Sequence, residues 1–558
     1  MAAQSESRQP KSSLLHSRLG QRVIEHLTAY LFLFPALLII FTFGLFPIAF
    51  AFFVSLHRWR RFPEAYTGLD NYVQALGNFT YVLFFWLAFG AVVYAGYTLR
   101  RTWQANRQFP RAWLSLLPGL ANAAATVLFL NWFFKVLPAI LDVPRRIPRS
   151  ETRSRARFIR EFLNSFTFPD VSKAADQMLL GIGFAVVLSL IFTALIRTKH
   201  TDRTLIRVSM AMFFLLAAGY IVNLTLTEIN ATFEAARASG GNLPIWSQTL
   251  LISLGAALLL AAYYLWQRAQ HSVDDHRFLL LSGAAIILLV GGFLLVVEIP
   301  RAFVGMDANL RRAFWVTVMY VIGTVPIQLG LGLVLAYLLF YNRTGKSFFR
   351  IVYFLPYITP FAATAVVFTT LFSNKPDSPA NHLLNLVGIP DQKWLLEPTP
   401  INVLLFGKGV PGWLQGPSLA LLVIMVWSTW TYVGYDTVIF LAGLGNVPTE
   451  LYEAARIDGA NGWRLFRHIT LPLLSPTTFF LSLVAIIGTF QAFTQIWIMR
   501  NPASHTSVDT VGVRIFDIIN RAQPEYGYGA GMAIVLFAVI LVITIIQNRF
   551  VGRRVFYG

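Results

Sequence analysis

The chain contains 558 residues, of which 56% are hydrophobic and only 13% are charged. About a quarter of the residues of a soluble protein are charged, so this composition excludes an ordinary soluble protein. The apolar runs reach the ~20 residues that a helix needs to cross a bilayer, which predicts an all-α polytopic membrane protein. The net charge of +19 comes without any nucleic-acid-binding pattern, which argues against a nucleic-acid partner, and the absence of cysteine excludes thiolate catalysis, cysteine-ligated metals and disulfides.

The apolar runs predict about twelve transmembrane helices. They lie at 28–56, 80–98, 113–141, 178–196, 208–226, 248–266, 278–297, 314–341, 351–373, 419–443, 476–499 and 529–548. Residues 1–27 form a basic tail, and the first run after it is too long for a cleaved signal peptide, so it is interpreted as a retained span. The loops 99–112, 197–207 and 342–350 and the tail 549–558 are rich in Arg and Lys, with a single acid, Asp202. Because such residues concentrate in cytoplasmic loops, both termini are predicted to be cytoplasmic.

Residues 142–177 depart from this distribution. The twelve-span topology places them outside, yet they carry seven Arg residues between Arg145 and Arg160. Five apolar residues recur within them at helical spacing: Phe158, Ile159, Phe162, Leu163 and Phe166. This pattern predicts an amphipathic helix on the membrane surface, with Arg side chains directed to lipid phosphates. The alternative is that the span count in the first half of the chain is off by one.

Spans ten and eleven contain polar and aromatic side chains, which are costly in a bilayer and usually face a cavity or another helix. Span ten contains Trp427, Trp430, Tyr432, Tyr435 and Asp436, and span eleven contains Gly488, Gln491, Ala492 and Gln495 at helical spacing, with Thr489, Phe490 and Phe493 beside them. Tyr432 and Asp436 are four residues apart and share a helix face. Amides pair with hydroxyls in both directions, and aromatic rings stack on pyranose faces, so the mixture suits a sugar. Ordinary packing between spans is the alternative.

The loop 444–475, between spans ten and eleven, is predicted to form a helix–turn–helix elbow on the cytoplasmic side. Pro448 and Thr449 suit a first helical turn, and Glu450 and Glu453 lie near its positive end. Ala454 and Ala455 keep one side of this helix slim, Gly459 ends the helix, and Asn461 caps a second one. The second helix carries an apolar stripe, is stopped by Pro472, and is followed by Ser475-Pro476 as the cap and first residue of the next span. The stripe consists of Trp463, Phe466, Ile469 and Leu471.

The string EAARIDGANGWRLFRHITLP within this loop resembles the EAA motif of binding-protein-dependent ABC importer permeases. The matching residues are Glu453, Ala454, Ala455, Asp458, Gly459, Ala460, Ile469, Leu471 and Pro472. The resemblance implies that the elbow is the coupling helix that docks on an ATPase subunit, that Glu453 makes a charge-assisted contact there, and that Gly459 sets the bend. A second string, EAARASGG at 234–241, lacks the Asp and the Ile-x-Leu-Pro ending and is interpreted as a chance match.

Further segments resemble the carbohydrate branch of this family, which contains the larger maltose-type permease subunit. They are the first span with the external YTGLDNY segment (28–72) and residues 311–558, which comprise a permease core at 311–548 and the tail. The second part includes RRAFWVTVMYVIGTVPIQLGLGLVLAYLLF, FRIVYFLPYITP and YGYGAGMAIVLFAVILVITIIQNRFVGRRVFYG. Residues 73–310, with about six spans, are interpreted as an insertion. It could dock the binding protein, hold lipid or act as a peripheral scaffold, and the scaffold is the favoured role. The family's transmembrane sugar site corresponds here to Gly434-Tyr435 and to the matching face of span eleven.

The resemblance implies a type I ABC importer permease that carries maltose-type oligosaccharides or related sugars across a bacterial or archaeal inner membrane. It would work with a second permease subunit, two ATPase subunits, an extracytoplasmic sugar-binding protein and membrane lipid. The sequence contains no GxxxxGK[ST] loop, so ATP and Mg are expected on the partner ATPase, with no cofactor, metal or catalytic residue in this chain. One alternative is a twelve-span transporter driven by an ion gradient, which leaves the elbow without a purpose. A second alternative is a membrane glycosyltransferase, but this sequence shows no convincing pair of catalytic carboxylates in an external loop.

Overall fold

The computed structural model describes residues 18–60, 62–106, 110–147, 155–195, 201–238, 245–270, 274–303, 305–341, 345–552 and 555. A two-stranded antiparallel hairpin is formed by β1 (His57–Trp59) and β2 (Pro63–Tyr66). The helices of the first half are α1 Arg18–Ile39, α2 Phe46–Ser55, α3 Asp70–Leu76, α4 Phe79–Ala105, α5 Leu116–Leu141, α6 Val143–Arg146, α7 Arg155–Asn164, α8 Pro169–Leu195, α9 Thr201–Ala238, α10 Ile245–Ala269 and α11 Asp274–Ala302. Those of the second half are α12 Ala308–Tyr341, α13 Lys346–Ile358, α14 Phe361–Leu371, α15 Pro379–Leu386, α16 Ile401–Phe406, α17 Leu419–Gly445, α18 Thr449–Ile457, α19 Gly462–Leu465, α20 Leu471–Leu473, α21 Ser475–Phe490, α22 Thr494–Met499, α23 His505–Val508, α24 Val511–Asn520 and α25 Tyr526–Phe550.

The all-α polytopic prediction is confirmed. In the described part of the chain, ten helical segments are long and apolar enough to cross a membrane, and two bent helix pairs raise the number to twelve. The predicted boundaries of several spans were wrong. The fourth span begins at Pro169, nine residues early, and the first span passes through a π-helical turn at Ile40–Leu45 between α1 and α2.

Two predicted spans are not continuous helices. The ninth, predicted over 351–373, bends by 94° between α13 and α14. Thr359 is extended there because it precedes Pro360, which disfavours a helical conformation. The eleventh, predicted over 476–499, ends at Phe490, and a new short helix begins at Thr494. The expectation that Gly488, Gln491, Ala492 and Gln495 share one helix face was therefore wrong.

The long helix α25 connects the two ends of the core. At its start, Gly527 packs against the carbonyl of His57 in the β-hairpin. Just beyond its far end, Gly552 lies against Phe479 near the start of α21. The 25 residues of α25 correspond to about 37 Å of helix. We call these the hairpin end (residues 57–66) and the elbow end (residues 446–474). The helix α12 also runs between them, since Asp307 donates to Gln74 O near its start and Tyr337 contacts Phe466 near its end.

The region 73–310 contributes six span-length helical segments, the number predicted for it. Within it, Gly255 and Gly291 let α10 and α11 approach closely, and Asn122 of α5 donates to Ser189 of α8 and Ser209 of α9 at 3.2 and 3.1 Å. The second EAARA string forms the last turns of the continuous helix α9, without a helix–turn–helix, and residues 239–244 lie outside the described part.

The basic segment 142–177 forms a short helix, α7, where an amphipathic helix was predicted, and α8 begins before the segment ends. Phe158, Ile159 and Leu163 are exposed on α7. Arg146 fixes its far end by donating to Ser165 Oγ at 2.8 Å, and Arg145 lies 5.4 Å from the ring of Phe62 in the hairpin loop. These contacts place the segment at the hairpin end, opposite the elbow, as the twelve-span count requires. Contact of α7 with lipid stays a prediction, and residues 148–154 lie outside the described part.

Candidate functional site

The elbow is a helix–turn–helix, as predicted. Helix α18 begins after Pro448 and ends at Ile457, and Gly459 then adopts a φ of +80°, a left-handed conformation that other residues rarely take. Asn461 caps α19, because its side-chain oxygen accepts from the backbone N–H of Arg464 at 2.9 Å. The chain then continues through a π-helical turn, Phe466–Thr470, into α20. The sequence therefore determines each part of this bend locally.

One face of the elbow packs against itself. Val447, Tyr452 and Leu465 are buried together, and the Tyr452 hydroxyl lies 3.0 Å from Thr470 Oγ. The predicted apolar stripe was partly wrong: Ile469 packs in this cluster, whereas Trp463 is 65% exposed and Leu471 is also exposed. The π-helical turn changes the residue spacing, so a regular 3.6-residue repeat misassigns the inner face.

The opposite face of the elbow carries most of the sequence motif. Glu453, Ala454, Asp458 and Gly459 are exposed, and Ala455 and Ala460 are half-buried. Ile457 is 87% exposed, which is a large apolar exposure for a residue beside a cluster of charges. This face therefore offers a carboxylate, small side chains and one aliphatic side chain to another surface.

The elbow joins two helices that pack closely where they meet it. A Cβ on Gly443 of α17 would lie 2.6 Å from Thr477 Oγ1 of α21, so the backbone of α17 packs directly against α21 side chains. Two predictions about the entry into α21 were wrong. Pro472 does not stop the helix, since α20 contains it and the bend of 63° follows at Leu474. Ser475 does not cap α21 but is its first residue, and its hydroxyl donates to Pro472 O at 2.6 Å.

A cavity of about 120 Å³ lies between the helices that the elbow joins. Its lining is aromatic and polar, with an apolar wall from α21: Tyr320, Gln328, Tyr357, Ser428, Tyr432, Tyr435, Asp436, Leu481, Val484, Ala485, Gly488, Thr489 and Gln495. Gln495 donates to the Tyr320 hydroxyl at 3.2 Å, and that hydroxyl also hydrogen-bonds to Ser428. The ring of Tyr357 stacks on Tyr435 with centroids 4.8 Å apart. Hydrogen bonds and ring stacking thus fix the walls of the cavity.

Asp436 is the acidic group of this lining. Its side chain is 2% exposed, and Gly332 of α12 packs against its Cβ. Its Oδ2 atom and Gln328 Oε1 are buried and accept no hydrogen bond from any described residue. Two oxygen acceptors therefore line the cavity without a donor.

Six of the ten residues predicted for the substrate pathway line this cavity: Tyr432, Tyr435, Asp436, Gly488, Thr489 and Gln495. The other four do not. Gly434 packs against the backbone of Tyr353 in α13, Phe490 and Ala492 lie in packed cores, and Gln491 is exposed at the break after α21. Whether any of them meets substrate during transport stays a prediction.

Sequence reasoning missed the cavity residues of α12 and α13, namely Tyr320, Gln328 and Tyr357. Gln328 had a usable signal, since it is a polar side chain within a span. Tyr320 and Tyr357 had none, because a tyrosine in an apolar run is equally compatible with ordinary packing.

Comparison with known proteins identifies the family. Residues 328–557 match the family described as the binding-protein-dependent transport system inner membrane component. The arabinooligosaccharides transport system permease protein AraP of Bacillus subtilis is 31% identical over 249 residues, which cover 44% of this chain and 73% of AraP. The chain belongs to this family. It is a transport component, and the match includes the elbow and every cavity residue except Tyr320.

Two other relatives of this permease are similar over the same share of the chain. The lactose transport system permease protein LacF of Rhizobium radiobacter is 30% identical, over 43% of the permease and 76% of LacF. The trehalose/maltose transport system permease protein MalF of Thermococcus litoralis is 28% identical, over 45% of the permease and 81% of MalF. A solved bacterial ABC transporter for alginate import aligns with a TM-score of 0.38 and 20% identity, over 44% of this chain and 80% of that one. AraP, LacF and MalF, all permeases of named transport systems, do not favour the ion-gradient alternative.

Proposed function

We propose that the permease conducts a sugar, such as a maltose-type oligosaccharide, through an ATP-driven importer in a bacterial or archaeal inner membrane. Its partners are a second permease subunit, distinct or a second copy, two ATPase subunits that bind ATP and Mg, and an extracytoplasmic sugar-binding protein. The elbow end faces the cytoplasm together with both termini. In this arrangement the permease has no ATPase site of its own and depends on its partner for energy.

One observation carries the coupling part of the proposal: the elbow connects the two helices that face each other across the cavity. Helix α17 contributes Tyr432 and Asp436, and α21 contributes Gly488 and Thr489. Only three residues separate α17 from α18, and only one residue separates α20 from α21. A displacement of the elbow is therefore transmitted directly to both cavity walls.

The exposed face of the elbow has the chemistry of a docking surface. Glu453 and Asp458 can form charge-assisted hydrogen bonds, and Ala454 allows close approach. The buried Tyr452–Thr470 contact stiffens the opposite face, so a force applied to Glu453 moves the elbow as one unit. ATP-driven closure of two ATPase subunits would supply that force.

The cavity supports a sugar cargo. Its tyrosine rings can stack on pyranose faces, and its amides can bond to hydroxyls. The relatives named above are permeases for arabinooligosaccharides, lactose and trehalose or maltose. The cavity volume of about 120 Å³ is below the ~300–1,000 Å³ of typical ligand sites. The cavity walls must therefore separate to admit a sugar, as alternating access requires.

The test is Glu453→Lys in the complete transporter, with Glu450→Lys as a matched control one turn earlier on the same exposed helix. We expect Glu453→Lys to lose the ATPase during copurification, or to hydrolyse ATP without uptake, and Glu450→Lys to keep both. If no ATPase copurifies with the unmodified chain and uptake collapses when the ion gradient is discharged, the proposal is wrong and the transport is gradient-driven.

A further inference from the structure

We propose that the cavity selects a sugar that carries a positively charged amino group, with Asp436 as its counter-ion. This inference rests on the proposed function and names the substrate class for the same cavity. It starts from the two acceptors that lack donors, Asp436 Oδ2 and Gln328 Oε1. Each lies on a buried side chain that lines the cavity, at 2% and 3% exposure.

The fold gives the Asp436 carboxyl no counter-ion among the described residues that line the cavity. The described residues that line the cavity include no Lys, Arg or His. The polar residues that α12, α13, α21 and α22 contribute to the same lining are neutral: Tyr320, Gln328, Tyr357, Thr489 and Gln495. A carboxyl in an apolar interior keeps its proton unless an opposite charge or several donors reach it, so a cationic group would be needed to hold it ionised. The missing charge is therefore one that the cargo can bring.

The position of Asp436 is built rather than incidental. Gly323 packs against Met425 and Gly332 against Asp436, so α12 and α17 run parallel and in near contact. Gln328 Oε1 and Asp436 Oδ2 thus lie on two closely packed helices that both line the cavity.

An ammonium group fits these acceptors better than a hydroxyl. It has three N–H donors, enough for the carboxylate and for Gln328 Oε1, and it cancels the negative charge. A neutral sugar supplies donors but leaves the charge uncompensated, and an acidic sugar adds a second negative charge at short distance. The predicted order of preference is amino sugar, then neutral sugar, then acidic sugar.

The test compares three disaccharides as cargo of the complete transporter: the glucosamine dimer, its neutral N-acetylated form and a uronate dimer. Uptake competition and equilibrium binding are measured for the unmodified chain, Asp436→Asn and Asp436→Glu. Asp391→Asn, on an exposed loop, is the control for loss of one carboxylate. Asn keeps the size of Asp436 and removes an uncompensated buried charge, so this variant should fold.

We expect the unmodified chain to prefer the glucosamine dimer over the acetylated form by about tenfold to a hundredfold, the range of a charged hydrogen bond. Asp436→Asn should abolish that preference, while Asp436→Glu and Asp391→Asn should retain it. Equal binding of both sugars, unchanged in Asp436→Asn, overturns the inference and leaves the sugar proposal standing. The inference is also overturned if the acetylated form is preferred and this preference is lost when choline replaces sodium in the buffer. Asp436 would then hold an inorganic cation instead of the amino group of the sugar. If no disaccharide is transported, both the inference and the sugar proposal fail.

Discussion

The turn at Gly459 gives the sharpest prediction, because only the backbone conformation determines the outcome there. A Cβ at this position would meet no atom within 4 Å, so substitutions cause no steric clash with the rest of the chain. The φ of +80° is what a side chain opposes. We predict that coupling falls in the order Gly, Asn, Ala, Pro at position 459.

The magnitudes follow from the conformation. Ala in a left-handed conformation costs roughly 1–2 kcal/mol, and Asn costs less because it adopts this conformation more readily. Pro fixes φ near −65°, which differs from the observed +80° by about 145°. Pro also removes the N–H that Gly459 donates to Arg456 O at 3.0 Å, and it disfavours the near-helical ψ of 4° at Asp458. The elbow of the Pro variant therefore cannot form as observed.

The assay is sugar uptake per ATP hydrolysed by the complete transporter in liposomes, with the melting temperature of each variant as the check on global folding. Asn should stay near the unmodified ratio, Ala should lower it, and Pro should uncouple hydrolysis from uptake without changing the melting temperature of the spans. Full coupling in the Pro variant would refute the reasoning, as would equal losses for Asn and Pro.

Three further predictions concern contacts that lie outside the cavity and the elbow. Gly434→Ala should destabilise the protein by more than about 1 kcal/mol, since its Cβ would collide with the carbonyl of Tyr353. The unfolding temperature in detergent should fall, while the sugar affinity of the folded fraction should not. A change of affinity at unaltered stability would contradict this. Arg500→Gln should lower the melting temperature, because Arg500 donates to Asp517 at 2.9 and 3.1 Å and loss of a charged partner costs roughly 1.5–3 kcal/mol. Arg500→Lys should retain part of the stability that Arg500→Gln loses. Equal melting temperatures of the two variants would count against the ion pair. Burial acts to raise the pKa of Asp307, but the Tyr528 hydroxyl, the backbone N–H of Asn309 and the charge of Arg514 outweigh it and lower the pKa below its usual value. The stabilisation by Asp307 should therefore be present above about pH 4 and be lost as pH falls through the lowered pKa. Asp307→Asn should be less stable than the unmodified chain at neutral pH and approach its stability in acid. A stability difference that stays constant over this pH range would contradict this.

Span number and the elbow could be predicted from sequence because their signals are local. Long apolar runs determine helices in a bilayer, where every backbone group must be paired within its own segment. At the elbow, Pro448, Gly459 and Asn461 each act on their immediate neighbours, and the structure places the bend where they do. The kink after Thr359 had the same kind of local cause in Pro360, but the apolar run around it concealed the break.

The cavity is different, because its walls come from helices far apart in the chain. Tyr320 meets Ser428 and Gln495 only after α12, α17 and α22 have packed, and no spacing in the sequence predicts that contact. The break after Phe490 also redirects Gln491 and Gln495, which a continuous helix would have placed on one face. Gly434 shows the converse, since packing against α13 removes it from the cavity lining.

The sequence by itself therefore determined the membrane class, the twelve apolar segments and the exposed elbow, since each depends on residues close together along the chain. Only the tertiary structure decided which polar side chains share a cavity and which acceptors are left without donors. Hydrogen bonds and charge compensation depend on distances of a few ångströms between helices, and these are fixed by packing alone.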